Sequence, residues 1–439
     1  MKHFFIFLFF ISFCCGFEQS KAQSFDPFLG QKLQQKLDDV LVTYGVNGIS
    51  VGIIYPGKGL WLGTSGFSHE NVPITSDMEF GIGSNTKLFT AISILKLVQR
   101  KQISINDSIG KYLQPIPNVN GKIKIGQLLN HSSGIADIIF YPGYVDTIQN
   151  NPNRLFTPEE ILRFIGSRAF APGARTEYSS SNYIIAGLLF EKLSGQNIAT
   201  FIRDSILTPN HLDSTFFDVE ETVLGTIAHP WLSGEDLGNI SRNAMSSSAW
   251  TTGAIYSNAN DMVKWYDAIM NGRILDQPTF DILTDFSQPL GYGHGINKSK
   301  LDGRTVWGAN GAILGYRSKM VYDPATKAIL CVLLNTHLVD IEKITRDIFS
   351  TLNSNITTGL SENNFMEDKP LIYPNPSSGK IFIDTKNQEI ESIQVFSTIG
   401  QVVNEFRNDF SVLDELPKGV YFVKIKSNKG VFVDKLVVE

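Results

Sequence analysis

Apolar residues recur at helical spacing at Leu29, Leu33, Leu37, Val40 and Leu41, and the pattern stops at Gly45. This predicts an opening amphipathic helix. Two apolar runs over 49–55 and 60–65, separated by Pro56-Gly57-Lys58-Gly59, predict a hairpin. A strand-like run over 78–83 then meets Leu88, Ala91, Ile92, Leu95 and Val98, which predicts a buried helix and a mostly helical middle to about residue 274. Strand character returns over 305–307, 313–322 and 328–335, and a helix over 340–352 closes the unit.

The pattern changes after that helix. Residues 353–368 are rich in Asn, Ser and Thr without periodicity, which predicts a linker, and alternating strands follow over 380–384, 393–396, 420–425 and 431–438. Those short strands imply a small C-terminal β-sandwich. The predicted organisation is a signal peptide over 1–22, a main domain over 23–353, a linker over 354–370 and the sandwich over 371–439.

Ser84 and Lys87 stand three apart where the buried helix begins, so hydroxyl and amine share one helical face, as a nucleophile and its base require. The spacing alone is weak, since it recurs at Ser108 to Lys111 and Ser377 to Lys380. The order of motifs around it is more specific. Asn106-Asp107-Ser108-Ile109-Gly110-Lys111-Tyr112-Leu113, then Leu128-Leu129-Asn130-His131-Ser132-Ser133-Gly134, then Pro172-Gly173 with Tyr178-Ser179-Ser180 follow in turn. Together they resemble the serine β-lactamase and penicillin-binding-protein-like hydrolase family, class C type, over about residues 30–350.

That resemblance implies an α+β fold: an antiparallel sheet flanked by helices, with an inserted helical lobe and the cleft between the lobes. It implies Ser84 as nucleophile, with Lys87 and Tyr178 sharing proton transfer as a coupled pair. The oxyanion would lie on the backbone N–H groups of Ser84 and Ala312. Ser180, Asn310, Gly311 and His294 are the implied substrate contacts. Bland readings stand beside these: Ser84 as a helix N-cap, Tyr178 as a half-buried aromatic, and His131 as a structural histidine within a turn. Two positions depart from the family pattern. Ser180 replaces an amide side chain, and Ala309 stands where a cation would hold a substrate carboxylate. A charge-assisted hydrogen bond is worth about 1.5–3 kcal/mol, so its absence favours esterase or peptidase action over β-lactam hydrolysis.

Composition narrows the setting. Met1-Lys2-His3, an apolar run over 4–17 and Ser20-Lys21-Ala22 read as a secretory signal with its cleavage site. Cys14 and Cys15 fall within it, which leaves Cys331 unpaired in an apolar strand. A net charge of -5 gives no basic footprint for nucleic acid. No His, Cys and carboxylate cluster has metal-ligand spacing, so no metal or cofactor is expected. In the tail, Tyr373-Pro374-Asn375-Pro376, Gly400-Gln401-Val402-Val403, Pro417-Lys418-Gly419-Val420-Tyr421 and Lys435-Leu436-Val437-Val438 resemble the C-terminal sorting domain of type IX secretion substrates. This implies export through the periplasm to the medium or cell surface, with the secretion machinery as partner. A carbohydrate-binding or adhesive module is the alternative. The expected function is a secreted serine hydrolase that forms an acyl-enzyme on a small-molecule or peptide ester or amide. A true β-lactamase and a catalytically weak surface receptor are the alternatives.

Overall fold

The computed structural model describes residues 25–360 and 370–439, apart from 379, 387, 398–400, 407–411, 414–415 and 429. The expected signal segment and residues 361–369 of the expected linker lie outside the described residues. Contacts divide the chain into two compact units between Thr351 and Leu352.

Helix α1 (Pro27–Tyr44) starts where the Asp26 carboxylate accepts from the N–H groups of Phe28 and Leu29, with Pro27 in the first helical turn. Strands β1 (Gly48–Tyr55), β2 (Gly59–His69) and β3 (Val72–Pro73) follow. Helices α2 (Thr86–Gln99), α3 (Tyr144–Gln149), α4 (Ser181–Ser194), α5 (Asn243–Ala249) and α6 (Ala259–Met270) lie in the middle of the chain. Strands β4 (Asn297–Leu301), β5 (Arg304–Ile313), β6 (Tyr316–Asp323) and β7 (Ala328–Leu334) precede α7 (Ile341–Leu360). The strands form one antiparallel sheet in the order β3-β2-β1-β7-β6-β5-β4. The β1–β7 pair, with Val51 opposite Val332, joins the two ends of the unit.

Every residue of β7 is buried, so both faces of the sheet centre are covered. On one face Ile329, Cys331 and Leu333 enter a core shared with Met262, Val263 and Tyr266 of α6. On α7, Ile344, Ile348, Phe349 and Leu352 are buried at helical spacing. The Tyr44 hydroxyl donates to Asp347 at 2.7 Å and ties α1 to α7. Cys331 is free and buried, and desolvation pushes its thiol pKa up, away from reactivity.

Four differences from the sequence pattern stand out. The run 78–83 forms a strand only at Phe80–Gly81, which pairs with Ile255–Ser257, and turns at once into a 3₁₀ turn over Gly83–Asn85. The expected strands 305–307 and 313–322 are instead β5 and β6, joined by a tight turn at Leu314 and Gly315. Gly308-Ala309-Asn310-Gly311 hides its strand character because small residues replace the apolar alternation there. β4 reads as polar because it is an edge strand, where lysines are protective. Finally, α7 runs on to Leu360, so the first part of the expected linker is helical. The buried face up to Leu352 supplies the nucleus, and extension over Ser, Thr and Asn then costs little per residue.

The second unit is a β-sandwich. Leu371–Tyr373, Ile381–Asp384 and Val412–Leu413 form one sheet, and Val402–Phe406, Ile390–Ser397, Gly419–Ser427 and Gly430–Val438 form the other. Ile381, Ile383, Ile393, Val395, Val423, Ile425 and Leu436 fill its core. Tyr421, Val423 and Ile425 point in while Val420 and Phe422 point out, as a half-buried strand requires.

Glu79 is a buried carboxyl immediately before the short strand Phe80–Gly81. Its Oε2 has no hydrogen-bond partner among the described residues. Desolvation raises its pKa to about 7. A raised folded-state pKa stabilises the fold fully below about 4.5, the carboxyl's ordinary value, and that contribution is lost as pH rises through about 7. Between pH 4.5 and 8 the natural protein should therefore lose on the order of 3 kcal/mol relative to Glu79→Gln in urea unfolding. Parallel pH profiles for the two proteins would refute the assignment.

Candidate active site

Two backbones meet at the turn that carries Ser84 with almost no space between them. Gly83 has φ +52°, and a Cβ there would lie 2.7 Å from both N and O of Ala312. A Cβ at Gly311 would lie 1.9 Å from the Ile82 carbonyl oxygen. Glycine at both positions is what lets β5 run against the turn that carries Ser84. A buried polar clamp locks the contact: Ser318 Oγ donates to Ile82 O at 2.6 Å, and Asn85 Nδ2 donates to Ser318 Oγ at 2.7 Å.

Ser84 is not a capping residue. It sits in the 3₁₀ turn, and the residue before α2 is Asn85, which makes no side-chain cap. The Ser84 hydroxyl instead lies 2.6 Å from Tyr178 Oη and 3.1 Å from Lys87 Nζ. Lys87 is 4% exposed and also donates to the Thr252 carbonyl at 2.8 Å, which holds its amine in place. Its ammonium lies 5.1 Å from the ring centre of Tyr178 and 5.7 Å from that of Tyr183, within cation–π range. A hydroxyl between two groups able to exchange its proton can act as a nucleophile.

His131 supports this arrangement from behind. Its ring centre is 4.5 Å from that of Tyr178 and 5.1 Å from that of Tyr292. Nδ1 accepts from the Ser179 N–H at 3.2 Å, and the His131 carbonyl accepts from the Glu177 N–H at 3.0 Å. The turn therefore grips the chain on both sides of Tyr178. Burial, with the Lys87 charge second, pushes the His131 pKa down to about 3, so the ring stays neutral and structural. Asn182 adds a buried link, accepting from Ser133 Oγ at 2.6 Å.

The adjoining cleft has a volume of about 350 Å³. Ser84, Lys87, Tyr178, Ser180, Asn310, Gly311 and Ala312 all border it. Asn310 does so with its amide turned to Glu342 at 2.6 Å. His294 does not border it. Its ring is buried with Nδ1 donating to the Ile282 carbonyl at 2.6 Å, while its neighbours Tyr292, Gly295 and Asn297 form the wall. Burial keeps the His294 pKa below that of an ordinary histidine. His294 was the expected substrate contact in this segment, but the turn sends its imidazole inward and leaves the cleft wall to its neighbours. Trp307 also points elsewhere, packing 5.3 Å from Phe286.

Arg317 borders the cleft across the sheet from Ala312, with Nε donating to the His337 carbonyl at 2.8 Å. Lys319 is bound to Glu342 at 2.8 Å. A cation thus reaches the cleft from β6 although Ala309 supplies none on β5. Pattern reading missed Asn85 and Ser318. The one available signal was a serine at an inward position of a buried strand, which needs a partner.

A sheet edge packed on a Ser-x-x-Lys turn, with a tyrosine returning to the serine, defines a β-lactamase-fold serine hydrolase. The Beta-lactamase family model matches residues 30–350, and the chain belongs to that family. Residues 371–439 match the Secretion system C-terminal sorting domain, which marks the chain for export and for the medium or cell surface. "Protein flp" of Staphylococcus aureus (strain MRSA252) is 32% identical over 198 residues, 42% of this chain and 38% of that protein. The chain thus matches well under two thirds of that relative's length. "Putative penicillin-binding protein PbpX" of Bacillus subtilis (strain 168) is 24% identical over 60% of this chain and 64% of its own length. Among solved structures, a D-stereospecific amidohydrolase from Streptomyces sp. aligns with TM-score 0.66 at 25% identity over 73% of this chain and 98% of its own. A D-amino acid amidase from Ochrobactrum anthropi SV3 aligns with TM-score 0.68 at 25% identity over 75% and 99%.

Ser318 is bonded to the turn that carries Ser84 and does not border the cleft. Ser318→Ala should lower kcat for a p-nitrophenyl ester about tenfold to hundredfold with little change in KM, because the Ser84 turn loses its anchor. Ser318→Thr, which keeps the hydroxyl, should recover part of that loss. Equal rates in Ala and Thr variants would show that the hydroxyl does not position the turn.

Proposed function

We propose that this chain is an exported serine hydrolase that forms an acyl-enzyme at Ser84 on an ester or amide. The observation that carries the reading is the Ser84 hydroxyl held between Tyr178 Oη at 2.6 Å and Lys87 Nζ at 3.1 Å. In the acylation step the Ser84 oxygen bonds to the substrate carbonyl carbon while its proton passes to the Lys87–Tyr178 pair. The backbone N–H groups of Ser84 and Ala312 take the developing oxyanion. The tetrahedral centre collapses, the bond to the alcohol or amine breaks, and the pair returns the proton to that leaving group. Water then repeats the sequence against the acyl-enzyme and releases the acid.

Ester or D-amino-acid amide substrates fit better than β-lactams. Ala309 supplies no cation at its own place on β5, which leaves a substrate carboxylate only Arg317 of β6, already bonded to the His337 carbonyl, and the structural neighbours include two enzymes described as acting on D-configured amides. Ser180, Asn310 and Gly311 serve as cleft contacts. The domain reading is a signal peptide over 1–22, the hydrolase over 23–353, a linker over 354–370 and a type IX sorting domain over 371–439. The secretion machinery would read the last of these.

Ser84→Ala should lose hydrolysis of esters and D-amino acid amides and lose covalent labelling by a fluorophosphonate, with its unfolding midpoint nearly unchanged because Ser84 caps no helix. Labelling of the natural protein without turnover would identify an acylated receptor instead of an enzyme, and residual turnover in the variant would remove Ser84 from the mechanism. Deleting 371–439 should leave activity in cell lysates and abolish delivery to the medium or surface, since the two units have separate cores. Normal export of the truncated chain would rule out sorting by the tail.

A further inference from the structure

The reacting groups also open onto a second cavity, of about 210 Å³ and different character. Ser84, Lys87, Ile139, Ser180 and Ala312 border both spaces. Beyond them the second cavity is walled mostly by Ile138, Tyr144, Val145, Ile148, Met245, Ala249 and Ile313, with Gln149, Ser248 and Thr252 as its uncharged polar members. Among the described residues, Lys87 is the one charged side chain that lines it. The polar cleft, in contrast, carries Tyr292, Asn297, Asn310 and Arg317.

The hydrocarbon surface continues outward from the cavity. Ile139 is 47% exposed, Phe140 84% and Val145 43%. Held apolar surface of that kind beside a site marks a place for an apolar ligand. The segment is fixed in position: the Asp137 carboxylate accepts from the Ile139 N–H at 3.2 Å, and the Ile138 N–H donates to Ser181 Oγ at 3.1 Å, at the start of α4. Helix α3 is anchored beneath by buried Tyr144 and Ile148.

Of the ester and the D-amino-acid amide named above, we propose the ester as substrate, with an unbranched aliphatic acyl chain that fills this cavity and runs out along Ile139, Phe140 and Val145. The polar leaving group lies in the cleft beside Arg317. This deepens the acyl-enzyme reading and rests on it for turnover. The carbonyl carbon sits at the junction, where Ser84 and Ala312 belong to both spaces. The Ser84 oxygen bonds to that carbon, the alcohol departs with the serine proton, and water later frees a fatty acid. The chain touches no reacting atom and contributes by burial, about threefold to fourfold in kcat/KM for each methylene removed from water.

The test compares p-nitrophenyl octanoate with p-nitrophenyl acetate. The natural protein should favour octanoate in kcat/KM by about thirtyfold or more. Val145→Asp, at a half-exposed site where folding is safe, and Ala249→Phe, which fills the space, should each reduce the octanoate-to-acetate ratio at least tenfold. Val42→Asp, on the exposed face of α1, should not move the ratio. Calorimetry with sodium octanoate on Ser84→Ala gives a readout independent of turnover, and the Val145→Asp change should abolish that binding. A ratio near one with no octanoate binding overturns the proposal. Octanoate binding without turnover of any ester supports the cavity assignment and overturns the acyl-enzyme reading instead.

Discussion

The catalytic turn depends on one contact, the backbone of β5 against the backbone of residues 82–84. Any side chain at Gly83 or Gly311 would force the two apart, and the Ser318–Asn85–Ile82 clamp exists to hold them together. From that approach follow the position of Ala312 beside Ser84, the opening of both cavities onto one hydroxyl, and the loss of apolar alternation along 308–311. The clamp's interior location matters as well. The Ser318 hydroxyl and the Asn85 amide N–H are costly to bury unless each finds a partner, and here each does, while Asn85 Oδ1 has none among the described residues.

Electrostatics around the serine are built from neutral and aromatic groups. The hydrogen bonds of Lys87 go to a hydroxyl and a carbonyl, with two tyrosine rings beside its ammonium. His131 remains uncharged, which removes a second positive group from the pocket. A carbonyl and ring faces hold Lys87 Nζ in place without pairing it with a carboxylate, so its contact with the serine hydroxyl is kept. The polar and apolar cavities divide a substrate into two parts about the same carbonyl, one satisfied by hydrogen bonds and one by removal from water.

Much of the fold was legible in the sequence because burial imposes a period. The α1 stripe from Leu29 to Leu41, the β1–β2 hairpin around Pro56-Gly57, the fully apolar β7 and the alternation in the tail all appear in the structure. Strand β4 and the middle of β5 were not legible, since edge exposure in one case and backbone packing in the other removes the apolar signal. The helical continuation of α7 was hidden for a related reason: its stability comes from the buried turns before it, and Ser, Thr and Asn only follow.

For the site, the residues able to do chemistry and their order were legible in the sequence: Ser84 and Lys87 three apart, the His131 turn, Tyr178, and the small residues around Gly311. Local spacing suffices for the first pair, because a 3₁₀ turn running into α2 brings positions three apart together. Only the tertiary structure decided that Tyr178 returns to Ser84 across 94 positions, that Arg317 and not a residue of β5 brings a cation to the cleft, and that His294 turns inward while its neighbours face the ligand space. Each of these depends on how separate segments pack, and packing is a property of many distant residues at once, which no short stretch of sequence encodes.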